Sequence, residues 1–70
     1  MNDCKIHITK RDCEILQLLY EGFTSKLIGE KLYVSRRTVE DYRHQLMKKT
    51  STHNVAGLIK FGLQNGLIKT

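Results

Sequence analysis

Residues 25–44 read Ser25-Lys26-Leu27-Ile28-Gly29-Glu30-Lys31-Leu32-Tyr33-Val34-Ser35-Arg36-Arg37-Thr38-Val39-Glu40-Asp41-Tyr42-Arg43-His44, and no other part of the chain constrains the architecture as tightly. Apolar residues recur at helical spacing through Leu27, Ile28 and Leu32, pause at Tyr33 and Val34, and resume at Val39, Tyr42 and Leu46. Ser35 is a hydroxyl cap for the second of these helices, with Val34 and Val39 at the two positions of a hydrophobic staple. Two helices joined so closely must pack on one another. Gly29 is the small residue that lets them approach, and Ile28, Leu32, Val34 and Val39 are the apolar contacts between them. The spacing is that of a helix-turn-helix. Tyr33 holds the turn position often given to glycine, which requires either a different turn or a left-handed backbone at a side-chain-bearing residue.

Working outward, the same start signals recur. Thr9 caps a helix over about 10–21, with Asp12 at the third helical position and Ile8 placed to pack on Cys13. Its apolar face is Ile15, Leu16 and Leu19, continued by Phe23, and Gly22 stops it. Thr24 caps the next helix, about 24–32, with Phe23 and Ile28 as its staple, and the basic helix covers about 36–49. A fourth, about 55–65, starts at Asn54 and runs through Val55, Leu58, Ile59, Gly62 and Leu63 to a stop at Gly66, after which Leu67 folds back. Gly57 and Gly62 each cost that helix roughly 1 kcal/mol relative to Ala, which implies close packing against both. The expected architecture is all-α: one compact four-helix domain over 1–70, containing a helix-turn-helix.

Composition supports helices and places the charge. Seventy residues allow one modest core, and no Pro with only five Gly leaves few breakers. Two cysteines, Cys4 and Cys13, are too few for a disulfide framework and read as reduced thiols. No apolar run approaches the roughly 20 residues of a membrane span, and the first ten residues lack a secretory pattern, so a soluble, cytoplasmic chain is expected. Lys and Arg number 12 against 7 acids, for a net charge of +5. Residues 1–35 are neutral, and the excess lies in residues 36–70, where Arg36, Arg37, Arg43, Lys48 and Lys49 cluster on one predicted helix. Such a cluster is either a solvated helix face or a surface for a polyanion.

An ordered series of residues then becomes informative: Thr9-x-Arg11-Asp12-x-Glu14-Ile15-Leu16, Gly22-x-Thr24-x-Lys26-x-Ile28-Gly29-x-x-Leu32, and Ser35-x-Arg37-Thr38-Val39-Glu40, followed by Lys49, Asn54-Val55-Ala56-Gly57-Leu58 and Asn65-Gly66-Leu67-Ile68. It resembles the LuxR/FixJ-type (GerE-like) helix-turn-helix effector domain over about 60 residues without an evident gap. The resemblance implies a four-helix transcription-factor domain of the kind found at the C-terminus of two-component response regulators. It further implies that the third helix reads DNA, that the fourth makes a homodimer contact, and that a receiver domain belongs to the full-length protein. Three departures stand out: Leu27 in place of an acidic or amide capping partner, Tyr42 where His is common, and Thr50-Ser51-Thr52 replacing a Leu-Gly-Val link.

With Val39, Tyr42, the Arg43 stem and Leu46 inward, helical periodicity turns Arg36, Arg37, Glu40, Asp41, His44 and Lys48 outward. Arg37, Glu40, Asp41 and His44 are the expected base readers in the major groove of double-stranded DNA. A carboxylate is repelled by phosphate unless it accepts a bond from a base donor such as the cytosine amino group; the alternative is that Glu40 or Asp41 pairs with Arg36, Arg37 or His44. Thr24, Lys26, Ser35, Arg36, Thr38, Lys48 and Lys49 are the expected phosphate contacts. Val55, Ile59, Gly62 and Leu63 are the expected dimer face, part of which is equally readable as core.

Other classes fit less well. Cys4-x-x-His7 with Cys13, His44 and His53 completes no metal-ligand spacing, and there is no phosphate loop, HExxH motif or paired-carboxylate pocket, so no cofactor, small-molecule substrate or enzymatic activity is expected. Five aromatics, several at core positions, leave little for stacking on single-stranded RNA. The remaining alternative is a protein-interaction module of the same fold without DNA contact.

Overall fold

The computed structural model describes residues 8–70. It contains four helices and, among the described residues, no strand: α1 Lys10–Tyr20, α2 Ser25–Leu32, α3 Arg36–Thr50 and α4 Val55–Gln64. These bounds lie within a residue of the expected ones at each end. None of the helices is long and apolar enough to cross a membrane.

Each helix starts where a short polar side chain satisfies a first-turn amide. Thr9 and Asp12 form a complete capping box: the Asp12 N–H donates to the Thr9 hydroxyl at 3.1 Å and the Thr9 N–H to the Asp12 carboxylate at 3.0 Å. The Thr24, Ser35 and Asn54 side chains accept from the amides of Leu27, Thr38 and Gly57 at 3.2, 3.0 and 2.7 Å. Of the two options open at Tyr33, the chain takes the left-handed one, with φ 60° and ψ 40°, and the next amide, that of Val34, donates back to Gly29. Ser51 does the same after α3 at φ 57°. A left-handed conformation costs a side-chain-bearing residue roughly 1–2 kcal/mol, so the C-caps of α2 and α3 are both held by something stronger.

That restraint is the core. Ile15 and Leu16 of α1, Ile28 of α2, Val39 and Leu46 of α3 and Leu58 of α4 are all fully buried, and Ile68 of the tail joins them. Each such aliphatic contributes about 1.5–3 kcal/mol by leaving water. Leu27 does not belong to this set, since it is 43% exposed on the outer side of α2. Gly29 works as its spacing suggests: a Cβ there would stand 2.7 Å from the Val34 carbonyl oxygen, so α2 could not approach the turn with any side chain at that position.

The two glycines of α4 differ. Gly62 is buried, and a Cβ on it would meet Ile68 Cδ1 at 2.6 Å, whereas Gly57 has only ordinary contact distances around it. The expectation of close packing therefore holds for Gly62 and fails for Gly57. After Gly66, at φ 70°, the tail turns back as expected, Leu67 donating to the Gly62 carbonyl and Ile68 covering Gly62. The Gln17 side chain of α1 grips the tail with two bonds, donating to the Lys69 carbonyl at 2.9 Å and accepting from the Lys69 N–H at 2.8 Å.

Candidate nucleic-acid interface

The inward positions of α3 are Val39 and Leu46, with Tyr42 and Arg43 half-buried beside them. This orientation leaves Arg36, Arg37, Asp41, His44 and Lys48 exposed, five of the six residues expected outward, with Arg37, Asp41, His44 and Lys48 along one stripe. Among the described residues none of these four has an ion-pair partner. Gln45 is also exposed on this side and was missed by the sequence reading, although it follows Asp41 by one helical turn. Glu40 behaves differently from Asp41. Its carboxylate accepts from Arg36 Nε at 3.3 Å, so of the two roles open to it the intrahelical pair is the one formed.

The electrostatics of the helix starts carry more information than the count of cations. A helix N-terminus presents partial positive charge and favours acids in its first turn, by about 0.3–1 kcal/mol each at exposed sites. α1 has Asp12 there, beside Lys10 and Arg11, whereas α2, α3 and α4 have no acid in the first turn, and of these three only α2 and α3 place cations there. Lys26 stands in that of α2, and Arg36 and Arg37 in that of α3, all exposed. These placements are unfavourable to each helix alone and suited to an anion arriving from outside. Thr24 and Ser35 are exposed beside them and Thr38 is half-buried, its hydroxyl 2.9 Å from that of Ser35.

Two expected site residues are placed elsewhere. Lys49 does not face outward with Lys48: its ammonium donates to the Asp12 carboxylate at 3.0 Å, with 31% of the Lys49 side chain and 3% of the Asp12 side chain exposed. The reason is the length of α3, whose last turn passes the first turn of α1. Burial by itself pushes the Asp12 carboxyl up, but the Thr9 amide, the Lys49 ammonium and the Thr9 hydroxyl together outweigh it and hold the group below its ordinary value. Lys49 is thus an internal tie between α1 and α3. Gly62, expected on the dimer face, is sealed beneath Ile68 within the same chain, because the returning tail occupies that side of α4. Val55 and Ile59 remain half-buried and Leu63 is 40% exposed, which leaves an apolar strip with Ala56 at its margin.

Of the residues weighed for a metal, Cys4 and His7 lie outside the described residues, Cys13 is half-buried on α1, and His44 and His53 are exposed.

Comparison with known proteins agrees with the geometry. The family described as bacterial regulatory proteins, luxR family, matches residues 7–61. The chain is 34% identical over 65 residues to the transcriptional regulatory protein DegU of Brevibacillus brevis, covering 91% of this chain and 28% of that protein. It is 43% identical over 67 residues to the probable transcriptional regulator ycf29 of Cyanophora paradoxa, covering 96% and 32%. With the uncharacterized response regulatory protein YgeK of Escherichia coli K12 it shares 45% identity over 60 residues, covering 86% and 41%. The chain thus spans between 28% and 41% of the length of these relatives. The match extends from the cap of α1 into α4 and takes in the whole helix-turn-helix, so this chain belongs to the luxR family of bacterial regulatory proteins.

Proposed function

We propose that the chain is the DNA-binding output domain of a response regulator, a single domain over 1–70 that recognises a specific duplex site in the cytoplasm with α3 in the major groove. The observation that carries this reading is the set of exposed cations at the starts of α2 and α3, Lys26 and Arg37 with no ion-pair partner among the described residues and Arg36 held by Glu40, beside an outward stripe on α3 whose charged groups are unpaired among the described residues. In it, Arg37, Asp41 and His44 read base edges, with Glu40 contributing by holding Arg36. Thr24, Lys26, Ser35, Arg36, Thr38 and Lys48 meet phosphates. Asp41 is the discriminating member: an exposed carboxylate in a field of phosphates is tolerated where it accepts from a base amino group, and cytosine offers one in the major groove.

One such domain covers little DNA, and a homodimer through Val55, Ile59 and Leu63 of α4 supplies the second half-site. Two α3 helices then lie about one DNA turn, ~34 Å, apart on a roughly palindromic site. The name of the relative YgeK, and the further length of all three relatives, support a receiver domain as the partner within a longer protein.

Selection from random duplexes tests the reading. Enrichment of a palindrome with a cytosine at one position per half-site is expected, and the Asp41→Ala variant should lose the preference there while binding random duplex as well as or better than the parent. Binding should weaken steeply with salt, by a slope of about 0.9 per phosphate neutralised. Absent or salt-insensitive binding would turn the assignment to a protein-interaction module.

A further inference from the structure

Arg43 lies on the inner flank of α3, and its guanidinium reaches across to the first residue of α2, donating from Nη1 to the Ser25 hydroxyl at 2.9 Å. Ser25 is buried. The bond therefore stations a cation at the entrance of α2 instead of leaving it to wander in solvent. Its other donors are poorly served. Arg43 Nε is buried with no partner, and among the described residues no carboxylate forms an ion pair with the group. Partly sheltered cations are usually neutralised, because desolvation without a counter-charge is unfavourable. A clip between two helices needs no such charge; a serine or amide would serve.

The surroundings are cationic as well. A groove opens here between Thr24, Ser25 and Lys26 of α2 and Arg36, Glu40 and Arg43 of α3. It holds three cations against one carboxylate, and that carboxylate is already engaged by Arg36. The Thr24 hydroxyl takes the Leu27 amide, while the earlier first-turn amides have no acceptor within the helix. A planar guanidinium, an ammonium and helix-start amides around one opening suit a tetrahedral oxyanion, which can accept from several directions at once.

We infer that Arg43 and Ser25, with Lys26 and the first turn of α2, form a seat for one phosphodiester of the DNA backbone. The inference rests on the DNA-binding reading above and adds to it a residue that its inward position disguises. Arg43 contributes charge and a fork of donors; Ser25 positions that fork and need not touch the phosphate itself.

The test is Arg43→Gln, which keeps the stem to Cδ and removes the charge together with the Nη1 bond to Ser25. Binding of the 70-residue chain and the variant to one duplex is titrated from 50 to 200 mM salt, with thermal unfolding recorded for both. The expected result is a salt slope lower by about 0.9, so that the fourfold rise in salt weakens the parent about 3.5-fold more than the variant. Arg43→Lys, which keeps the charge, should retain most of the slope. A folded Arg43→Gln protein with the parent's slope overturns the seat while leaving DNA binding intact, whereas loss of salt-dependent binding by the parent itself overturns both. If Arg43→Gln does not fold, the Arg43 Nε–H resonance of the unmodified chain decides: it should shift on addition of duplex, and an unmoved resonance at saturation rejects the seat.

Discussion

The two flanks of α3 put the same residue types to opposite uses. On the flank that meets α1, Lys49 closes on the buried Asp12 and ties the last turn of α3 to the first turn of α1. One residue earlier, Lys48 stands exposed on the outward stripe with Arg37, Asp41 and His44. Adjacent lysines on one helix thus take unrelated roles. What separates them is whether a desolvated carboxylate lies within reach, which neither the local sequence nor the count of cations reveals.

The sharpest way to break this contrast is to remove each ammonium in turn while keeping the stem. Lys49→Met should destabilise the fold by about 2 kcal/mol, less than for a fully buried pair because Lys49 retains contact with water. Lys48→Met should leave stability within about 0.5 kcal/mol and lower the DNA salt slope by about 0.9. Denaturant midpoints and salt titrations measure both, and equal effects of the two substitutions on either readout would dissolve the distinction. The pair also sets a pH dependence. Asp12 is held below its ordinary value in the fold, so its contribution is present above the unfolded carboxylate pKa of about 3.9 and is lost as pH falls through the lower folded value. The stability gap between the parent and Lys49→Met should accordingly narrow below about pH 4; a gap constant from pH 6 to pH 3 would mean that Lys49 does not act through Asp12.

A smaller effect concerns how α3 is aimed. Gly29→Ala sets a methyl against the Val34 carbonyl, which is backbone and cannot step aside. A net loss of about 1–2 kcal/mol is expected even after the gain in helix propensity, with weaker binding on every duplex as the α2–α3 angle opens. Unchanged stability would show that the turn yields more readily than the geometry indicates. The smallest effects lie at the C-caps of α2 and α3. Tyr33→Gly and Ser51→Gly relieve left-handed backbone without touching either flank, and each should raise stability by about 0.5 kcal/mol with the salt slope unaltered.

How far the sequence reached follows from the range of each interaction. Thr9, Thr24, Ser35 and Asn54 were identifiable as caps because a cap and the amide it serves lie three residues apart. The left-handed option at Tyr33 was visible because a two-residue link has few solutions. The outward stripe followed from periodicity alone. Lys49 and Gly62 were misplaced for the opposite reason: the partner of Lys49 is 37 positions away, and what buries Gly62 is a tail that returns after the helix has ended. The Arg43 bond to Ser25 spans 18 positions and two helices, so local pattern showed its stem inward but not where its head would go. Glu40 and Asp41 each stand four residues after an arginine, and among the described residues only the first of these pairs closes, Glu40 on Arg36.

The two hydrogen bonds between Gln17 and Lys69 join positions 52 apart and hold the returning tail against α1, across the seam where α1 packs on α4. α1 packs directly on α2, α3 and α4, so the tail is a clasp laid over that packing, and a clasp opens before what it covers. Loosening Ile68 from Gly62 would bare the seam between α1 and α4 while the helix-turn-helix kept its own short-range bonds. Hydrogen exchange at the Lys69 amide should report that earliest opening, at a lower free energy than exchange from the centre of α3.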